Sequence, residues 1–375
     1  MSTAGGGGGG AGGGRVLRVL IVDDSHFMRG AIGRALESGG LVVAGAAGDG
    51  LQAVAEAARL RPDVITMDVN MPRLDGVSAV RRIMAECPTP IVMLSAYTKE
   101  GAQATMEALA AGAVDFLAKP SGEVSADLAT VVPVLLEKVR AAAESRPSAG
   151  PAAGEIAGSI RGRKQSVRPE DLRAGKAAPR RMSTLQMAGQ DTRVVCIGVS
   201  TGGPAALARV IPRLPADLRA VILIVQHMPP QFTAALAERL GAESELLVRE
   251  AVTGERLTPG KVIIAPGDKH MVIGSSRNVV LTDEPEENGC RPSADVTMRS
   301  VAAIYGAQVL GVILTGMGRD GASGMAAVKA AGGATIAQDE GTSVIFGMPR
   351  AAIELGVVDK VLPLDVIAEE IAEWG

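Results

Sequence analysis

Residues 16–25 read VLRVLIVDDS, an apolar run that ends in two aspartates and a serine. Such a run, bounded by polar residues, is typical of a buried β-strand. Four similar runs follow, separated by helical patterns, and this alternation predicts βαβ units and a parallel sheet. The five predicted strands are Val16–Val22, Leu41–Gly45, Val64–Met67, Ile91–Leu94 and Val114–Leu117.

A second alternation of apolar runs and helical patterns begins at Thr192 and predicts another parallel-rich sheet. The two halves share this architecture but no motif, and a chain of 375 residues is long enough for two domains. The predicted fold class is therefore α/β, with two doubly wound domains of which the second is larger. The strand candidates of the second half are Val194–Val199, Val221–Val225, Val262–Ala265, Val279–Leu281, Val309–Leu314 and Ala334–Ala337.

The composition agrees with a folded α/β protein. Hydrophobic residues make up 47% and charged residues 21% of the chain, which is ordinary for globular domains. Aromatic residues make up only 2%, so the cores must be aliphatic, which favours buried parallel strands covered by helices. A net charge of −3 indicates no basic surface for nucleic acid.

The cysteines and the hydropathy bear on where the protein resides. Cys87, Cys196 and Cys290 are odd in number and far apart, which argues against disulfides and zinc sites and favours a reducing compartment. No uninterrupted apolar run approaches the roughly 18 residues of a membrane span. We therefore expect a cytoplasmic protein without direct membrane insertion.

Composition also sets the predicted domain boundaries. Nine of the first fourteen residues are glycine, so residues 1–14 are predicted to be a disordered tail. The first α/β domain is predicted over residues 15–140 and the second over residues 192–375. Residues 141–191 contain several Pro and Gly, an excess of basic over acidic residues and no aromatic residue, which indicates a flexible linker.

Charged and polar side chains follow four strands of the first predicted sheet. Asp23 and Asp24 end strand one, Asp68 ends strand three, Ser95 ends strand four and Lys119 follows strand five. The carboxyl ends of parallel strands meet at one edge, where three carboxylates would repel one another unless a cation such as Mg²⁺ binds. Asp68 could then attack a phosphoryl group whose oxygens contact Lys119 and Ser95. Alternatively, the aspartates are helix N-caps or turn residues.

Three motifs in this half resemble the receiver domain of bacterial response regulators. They are VLIVDDS at 19–25, DVNMPRLDG at 68–76 and AKP at 118–120. The resemblance spans about residues 15–140 and implies a flavodoxin-like (βα)5 fold with strand order 2-1-3-4-5. It also implies Mg²⁺-dependent phosphorylation. The residues that it assigns are Asp68 as phosphoacceptor, Asp23, Asp24 and Asp68 as metal ligands, Ser95 and Lys119 as switch residues, and Lys119–Pro120 as a candidate cis bond.

Residues 198–204 read GVSTGGP and follow the first strand of the second half. As a Gly-x-Ser-x-Gly motif, this stretch places Ser200 on a tight strand-to-helix turn, where N–H groups at the helix start can stabilise an oxyanion. Two other interpretations remain open. The stretch could be a phosphate-binding loop, although it lacks the glycine pattern and the Lys of such loops, or Ser200 could be an N-cap.

A serine nucleophile requires a base near neutral pH, and the second half contains two histidines. His227 follows the second predicted strand of this half and so emerges at the same edge as Ser200. His270 lies in a predicted hairpin connection, where a surface or structural role is expected. Asp320 follows the fifth predicted strand of this half and could fix the tautomer of His227, or it could be a helix N-cap.

Four motifs in the second half resemble CheB-type chemotaxis protein-glutamate methylesterases. They are GVSTGGP at 198–204, VQHMPP at 225–230, LTGMGRDG at 314–321 and GMPR at 347–350. This resemblance spans about residues 192–373. The residues that it assigns are Ser200, His227 and Asp320 as a catalytic triad, Thr201 beside the histidine, and Met317 as the donor of an oxyanion-hole N–H.

A further segment, RPSAD at 291–295, resembles another motif of that family near the active-site cleft. The following VTM at 296–298 departs from the more apolar residues expected there. Cys290 precedes this segment and is a weaker candidate nucleophile than Ser200, because a lone cysteine is more often structural. Cys196 lies inside a predicted strand and is expected in the core.

The two resemblances together imply a function. The implied reactions are hydrolysis of glutamate γ-methyl esters on methyl-accepting chemotaxis receptors and deamidation of receptor glutamines, neither of which needs a cofactor. A CheA-type histidine kinase is the implied phosphodonor. In this family the unphosphorylated receiver covers the esterase cleft, so removal of residues 1–140 is expected to raise the basal activity.

Three alternatives belong to other functional classes. The first is a response regulator whose second domain only binds a partner protein. The second is a phosphorylation-controlled esterase for small molecules or for a pathway other than motility. The third, a DNA-binding regulator, is disfavoured because the sequence contains no helix-turn-helix pattern and no basic surface.

Overall fold

The computed structural model describes residues 15–119, 127–145 and 192–375. The predicted tail at 1–14, most of the predicted linker (146–191) and the Lys119–Pro120 bond lie outside these residues. Two α/β units are present, one on each side of the linker, and the predicted fold class is confirmed. Among the described residues, no helix is long and apolar enough to cross a membrane.

The first unit is a five-stranded parallel sheet with the order β2-β1-β3-β4-β5. The strands are β1 (Arg18–Val22), β2 (Val42–Ala47), β3 (Val64–Asp68), β4 (Ile91–Ala96) and β5 (Asp115–Lys119). The helices are α1 (His26–Ser38), α2 (Gly50–Leu60), α3 (Gly76–Glu86), α4 (Lys99–Ala110) and α5 (Asp127–Glu144).

Capping side chains fix where the helices of this unit begin. Ser25, Asp49, Asp75 and Thr98 each accept a hydrogen bond from a backbone N–H in the first turn of the helix that follows. Such caps satisfy donors that a helix start leaves unpaired, typically for about 1 kcal/mol each. Helices α1, α2 and α4 begin within four residues of the preceding strand, whereas a longer loop joins β3 to α3.

The second unit is a seven-stranded parallel sheet with the order β14-β13-β12-β6-β7-β9-β8, together with a separate β10-β11 hairpin. The strands are β6 (Arg193–Val199), β7 (Ala220–Gln226), β8 (Leu247–Glu250), β9 (Lys261–Ile264), β10 (His270–Ile273), β11 (Val279–Thr282), β12 (Val309–Ile313), β13 (Ala334–Gln338) and β14 (Lys360–Leu362). The α-helices are α6 (Gly203–Val210), α7 (Phe232–Glu243), α8 (Ala294–Tyr305), α9 (Ala322–Ala330), α10 (Met348–Glu354) and α11 (Leu364–Trp374).

The strand order of this sheet reverses at β6. The chain proceeds from β6 to β7 on one side and later returns to place β12 on the other side. Ligands of open α/β sheets bind outside the carboxyl ends of the strands at such a switch point. The loops after β6, β7 and β12 meet there, and these loops carry Ser200, His227 and Asp320.

Three details differ from the strands and boundaries predicted from sequence. The run at Val279–Leu281 lies in the antiparallel hairpin and not in the parallel sheet. The short strands β8 and β14 were not predicted, because they form the two edges of the sheet and are too exposed to contain an apolar run. Helix α5 continues to Glu144, past the predicted boundary at residue 140, since Ala141 and Ala142 are buried.

The two units pack against each other. Helix α4 of the first unit lies against α7 of the second, and the two share one apolar cluster. The ring of Phe116 on β5 stacks on Phe232 at the start of α7, with centroids 4.4 Å apart. The ring of Tyr97 lies 6.2 Å from the same Phe232 ring, which is fully buried. Aromatic pairs of this kind contribute roughly 0.5–1.5 kcal/mol beyond the area that they bury.

Candidate phosphorylation and hydrolase sites

The predicted acidic cluster forms at the carboxyl edge of the first sheet. Carboxylate oxygens of Asp23, Asp24 and Asp68 lie within 4.8 Å of one another. Asp23 is fully buried, Asp68 is 7% exposed and Asp24 faces solvent. Three hard oxygen donors with one open side suit Mg²⁺, which retains several waters and binds through few carboxylates.

Lys119 joins this cluster from the end of β5. Its Nζ lies 2.8 Å from Asp23 Oδ2 and 2.9 Å from Asp68 Oδ1. Burial opposes the charged form of Lys119, but the carboxylates of Asp68 and Asp23 outweigh it and raise the lysine pKa. Burial also raises the pKa of the Asp68 carboxyl, and the Lys119 ammonium offsets only part of that rise. The lysine thus balances charge beside the predicted phosphoacceptor.

The Ser95 hydroxyl, predicted to contact phosphoryl oxygens, is hydrogen-bonded to the backbone of α4 in this structure. This buried hydroxyl donates to the carbonyl oxygen of Gly101, 3.0 Å away in the first turn of α4. Gly101 has no room for a side chain, because a Cβ there would lie 2.4 Å from the Ala96 carbonyl oxygen. The end of β4 is therefore tied closely to α4, the helix that packs on the second unit.

Strand register brings Ser200 and His227 together. Val199 is paired with Gln226 across β6 and β7, so the next residues, Ser200 and His227, leave the sheet side by side. The backbone N–H of His227 donates to the Val199 carbonyl, and this bond holds the two strand ends together. After Ser200 the chain turns through Gly202 at φ 78°, a left-handed conformation that glycine adopts without strain.

Asp320 reaches the same point from the loop after β12. Its Oδ2 lies 2.8 Å from His227 Nε2, and its side chain is 2% exposed. Burial opposes the imidazolium form of His227, but hydrogen bonds with Asp320 and Cys290 outweigh it and raise the histidine pKa to about 9. Burial likewise opposes the charged form of Asp320, yet the bond to His227 and further donors lower its pKa to about 2.

A cysteine contacts Nδ1, the ring nitrogen of His227 that does not bond Asp320. Cys290 Sγ lies 3.6 Å from His227 Nδ1. Among the described residues, the Ser200 hydroxyl has no hydrogen-bond partner, so the predicted contact between Ser200 and His227 is not formed in this arrangement. Sequence reasoning placed Cys290 beside the active-site cleft but not against the histidine.

The loop after β12 also packs against Ser200, through Gly316. A Cβ on Gly316 would lie 2.8 Å from Ser200 Cβ and 2.3 Å from Met348 Sδ, so only glycine fits. The Gly316 carbonyl accepts hydrogen bonds from the N–H groups of Gly347 and Met348. These contacts fix the backbone that leads into the half-buried Met317, the predicted oxyanion-hole residue.

Thr201 contacts the first unit. Its hydroxyl donates to Asp115 Oδ2 on β5 at 2.8 Å, and the same carboxylate oxygen accepts from Lys138 at 2.7 Å. Thr201 and Asp115 are 4% and 7% exposed, so the bond is shielded from water. Sequence reasoning missed Asp115, because only the packing of the two units brings it to the residue after Ser200.

His270 is buried and holds a loop in place. Its Nε2 donates to the Pro285 carbonyl at 3.0 Å, and its Nδ1 accepts from the Ser293 N–H at 3.3 Å. Both ring nitrogens are therefore used in anchoring the segment between β11 and α8. This agrees with the structural role expected for His270.

The two sheet edges together define a class of two-domain α/β proteins. An acidic cluster lies at the edge of one sheet, and serine, histidine and aspartate residues meet at the switch point of the other. The chain belongs to the CheB methylesterase family. The family model described as CheB methylesterase matches residues 195–371, and the model of the response regulator receiver domain matches residues 19–129.

Named relatives cover nearly the whole chain. The protein-glutamate methylesterase/protein-glutamine glutaminase of Symbiobacterium thermophilum is 48% identical over 367 residues, or 95% of this chain and 96% of that protein. A protein of the same name from Archaeoglobus fulgidus is 46% identical over 363 residues, or 96% and 98% of the two chains. The crystal structure of the Thermotoga maritima CheB methylesterase catalytic domain is 46% identical, with a TM-score of 0.48, and covers 49% of this chain and 99% of that one.

Proposed function

We propose that this protein is a phosphorylation-activated protein-glutamate methylesterase and protein-glutamine glutaminase that acts on methyl-accepting chemotaxis receptors. One observation carries the proposal: Ser200 and His227 leave adjacent strands side by side, and His227 Nε2 bonds the buried Asp320 carboxylate at 2.8 Å. Nucleophile, base and orienting acid are thus at one switch point. The names of the relatives agree with this chemistry.

The chemistry follows from which nitrogen of His227 can serve as the base. Because Asp320 holds Nε2–H, Nδ1 of the neutral imidazole is the nitrogen that takes the Ser200 proton as the hydroxyl attacks the ester carbonyl. This step requires the Cys290 thiol, which lies 3.6 Å from Nδ1, to move aside for the Ser200 hydroxyl. The backbone N–H of Met317 stabilises the oxyanion, His227 returns the proton to the leaving methanol, and water then releases the glutamate. Deamidation uses the same acyl-enzyme with ammonia as leaving group. These residues supply every group that the reaction needs, so no cofactor is proposed for it.

Asp68 is the proposed phosphoacceptor, and a CheA-type histidine kinase is the proposed phosphodonor. Asp23, Asp24 and Asp68 would hold Mg²⁺, which supplies positive charge to the phosphoryl oxygens when bound. Lys119, which contacts both Asp23 and Asp68, contributes a second positive charge. We place the protein in the cytoplasm, where the free thiols of Cys87, Cys196 and Cys290 would stay reduced.

Control by phosphorylation is proposed to act through the contact between the two units. The Asp115 carboxylate binds Thr201 next to Ser200, and Phe116 on the same strand stacks on Phe232. Phosphorylation of Asp68 adds charge at the other end of this strand, where Lys119 is held. Movement of β5 and α4 would then release Thr201 and open the approach to Ser200.

Asp115→Ala is expected to raise the basal esterase activity without a phosphodonor. The substitution removes the acceptor of the Thr201 hydroxyl, and a hydrogen bond to a charged group is worth roughly 1.5–3 kcal/mol. It also removes the ion pair with Lys138, which lies within the first unit. The basal rate should therefore rise about tenfold to a hundredfold, up to the level of the phosphorylated enzyme. Methanol release without acetyl phosphate measures this. Asp63→Ala, which removes an acid bonded to Arg15 and Arg18 before β3, is the matched control and should change nothing.

Asp68→Ala is expected to abolish activation by acetyl phosphate and Mg²⁺ while preserving the basal rate. The variant lacks the proposed phosphoacceptor, while Asp23, the other carboxylate of the acidic cluster that contacts Lys119, stays in place. Incorporation of radioactive phosphate and stimulated methanol release should disappear together. Stimulation that survives in this variant would show that Asp68 is not the phosphoacceptor.

The substrate class is tested by comparing two esters. Membranes that contain methyl-labelled chemoreceptors and the small ester p-nitrophenyl acetate are offered to the enzyme with acetyl phosphate and Mg²⁺. The proposal predicts efficient methanol release from receptors and slow hydrolysis of the small ester. The opposite preference would favour a small-molecule esterase, and no turnover of either would favour a domain that only binds a partner.

A further inference from the structure

The Asp320 carboxylate is held by more than His227. Oδ1 accepts from the hydroxyl of Ser293 at 2.6 Å and from the side-chain amide of Asn288 at 3.2 Å. Oδ2 accepts from the N–H of Ala294 at 2.6 Å, at the start of α8. Both oxygens are therefore engaged by donors from one segment, the end of the β11–α8 loop and the first turn of α8.

A second buried acid lies beside this carboxylate. Asp295 is 2% exposed, its Oδ1 accepts from the Gly324 N–H, and its Oδ2 accepts from Asn288 at 2.9 Å. Burial is the main cause that raises the pKa of Asp295, and the charge of Asp320 raises it further. Two carboxylates this close destabilise each other when both are ionised.

Asn288 stands between the two acids. Its side-chain NH₂ group donates to Asp295 and to Asp320, so each hydrogen serves one carboxylate. Its backbone is left-handed, with φ 54°, a conformation that asparagine tolerates better than most residues. The residue itself is exposed, and its amide reaches inward from the loop to the two acids. The left-handed backbone belongs to a tight turn that backbone hydrogen bonds between Glu287 and Cys290 close, but that turn does not require the amide to point at the two acids.

We propose that Asn288 is a positioning residue, whose amide separates the Asp295 and Asp320 carboxylates and holds Asp320 in line with His227 Nε2. The inference rests on the proposed function, because it assigns to Asn288 an effect on the triad. Asn288 acts through Asp320 and needs no contact with substrate. Without the amide, the two acids can share a proton, and a protonated or rotated Asp320 bonds His227 less well.

The test uses two substitutions of Asn288, one that removes the amide and one that replaces it by a carboxylate. Asn288→Gly removes the amide and still permits the left-handed backbone, so it isolates the side chain. Asn288→Asp keeps the shape but replaces the donor by a third carboxylate facing Asp295 and Asp320. Arg61→Gly is the matched control, since Arg61 is an exposed residue of the first unit with φ 46°. All are assayed as full-length protein with acetyl phosphate and Mg²⁺.

We expect kcat for methanol release to fall about tenfold to a hundredfold in Asn288→Gly and further in Asn288→Asp, with KM little changed. The pH at which kcat/KM rises should also move down toward the 6.5 of free imidazole, because a weaker bond to Asp320 lowers the pKa of His227. Cys290 and Asp320 are the groups that face His227, and neither is altered. A merely structural role would lower the thermal midpoint without moving this profile.

Two results would overturn the proposal. The first is wild-type kcat and an unchanged pH profile in both Asn288 variants. The second is a fall in kcat that follows the thermal midpoint while the profile stays in place. Failure of the proposed function itself gives a different result: either the wild type releases no methanol, or Ser200→Ala retains activity, whatever the Asn288 variants do.

Discussion

Ser200→Ala is expected to lower the turnover of methylated receptors by roughly 10³- to 10⁶-fold. At about 1.4 kcal/mol for each factor of ten, this corresponds to about 4–8 kcal/mol of lost transition-state stabilisation. Alanine at this position offers no group that could attack the ester, and the backbone around it, where Gly316 packs against Ser200, stays unchanged. The activity that remains would come from the oxyanion site and substrate binding alone. Methanol release at saturating receptor is the measurement.

Cys290 makes this result informative. Its sulfur lies 3.6 Å from His227 Nδ1, so it is the one described side chain that could accept the role of nucleophile if Ser200 were not used. Substantial activity in Ser200→Ala that disappears in Cys290→Ala would assign the reaction to the thiol. Labelling by a fluorophosphonate should be lost in Ser200→Ala and kept in Ser275→Ala, a control on the exposed β10–β11 turn.

Asp320→Asn is expected to lower kcat by about 10⁴-fold, the size found when the acid of a serine-protease triad becomes an amide. The carboxylate accepts from His227 Nε2–H, which leaves Nδ1 free of a proton. An asparagine amide that donates to Nε2 would place the imidazole proton on Nδ1, where it blocks the proton transfer from Ser200. The fold should persist, because Asn and Asp have the same shape and Oδ1 still accepts from Ser293, although the Ala294 N–H loses its acceptor at the Oδ2 position.

The control for this substitution is Asp283→Asn. Asp283 forms an exposed ion pair with Lys269 on the hairpin side of the same domain, and exposed pairs contribute little. The kcat of Asp283→Asn should equal that of the wild type. If Asp320→Asn keeps more than a tenth of the wild-type kcat, the histidine does not depend on this carboxylate and the triad is incorrectly assigned.

Much of the candidate site could be predicted from sequence, because parallel topology places all strand ends at one edge. The order of the strands alone brings together Asp23, Asp68 and Lys119. Ser200 and His227 likewise follow adjacent strands directly, so their proximity is a matter of register.

The remaining contacts depend on loops and on packing between the two units. Asn288 reaches the site through a left-handed turn in the β11–α8 loop, and nothing in the local sequence indicates where its amide points. Asp115 meets Thr201 only because α4 and β5 pack against the second unit. The edge strands β8 and β14 were not predicted either. A half-exposed strand depends more on pairing with its neighbour than on its own hydrophobic pattern.

The most direct test of the account is methanol release from methyl-labelled receptor membranes by wild type and Ser200→Ala, each with and without acetyl phosphate and Mg²⁺. The account predicts slow release by the wild type, a clear rise with the phosphodonor, and almost none from Ser200→Ala under either condition. Equal methanol release by the wild type and Ser200→Ala would contradict it, and so would wild-type release that does not change when acetyl phosphate is added.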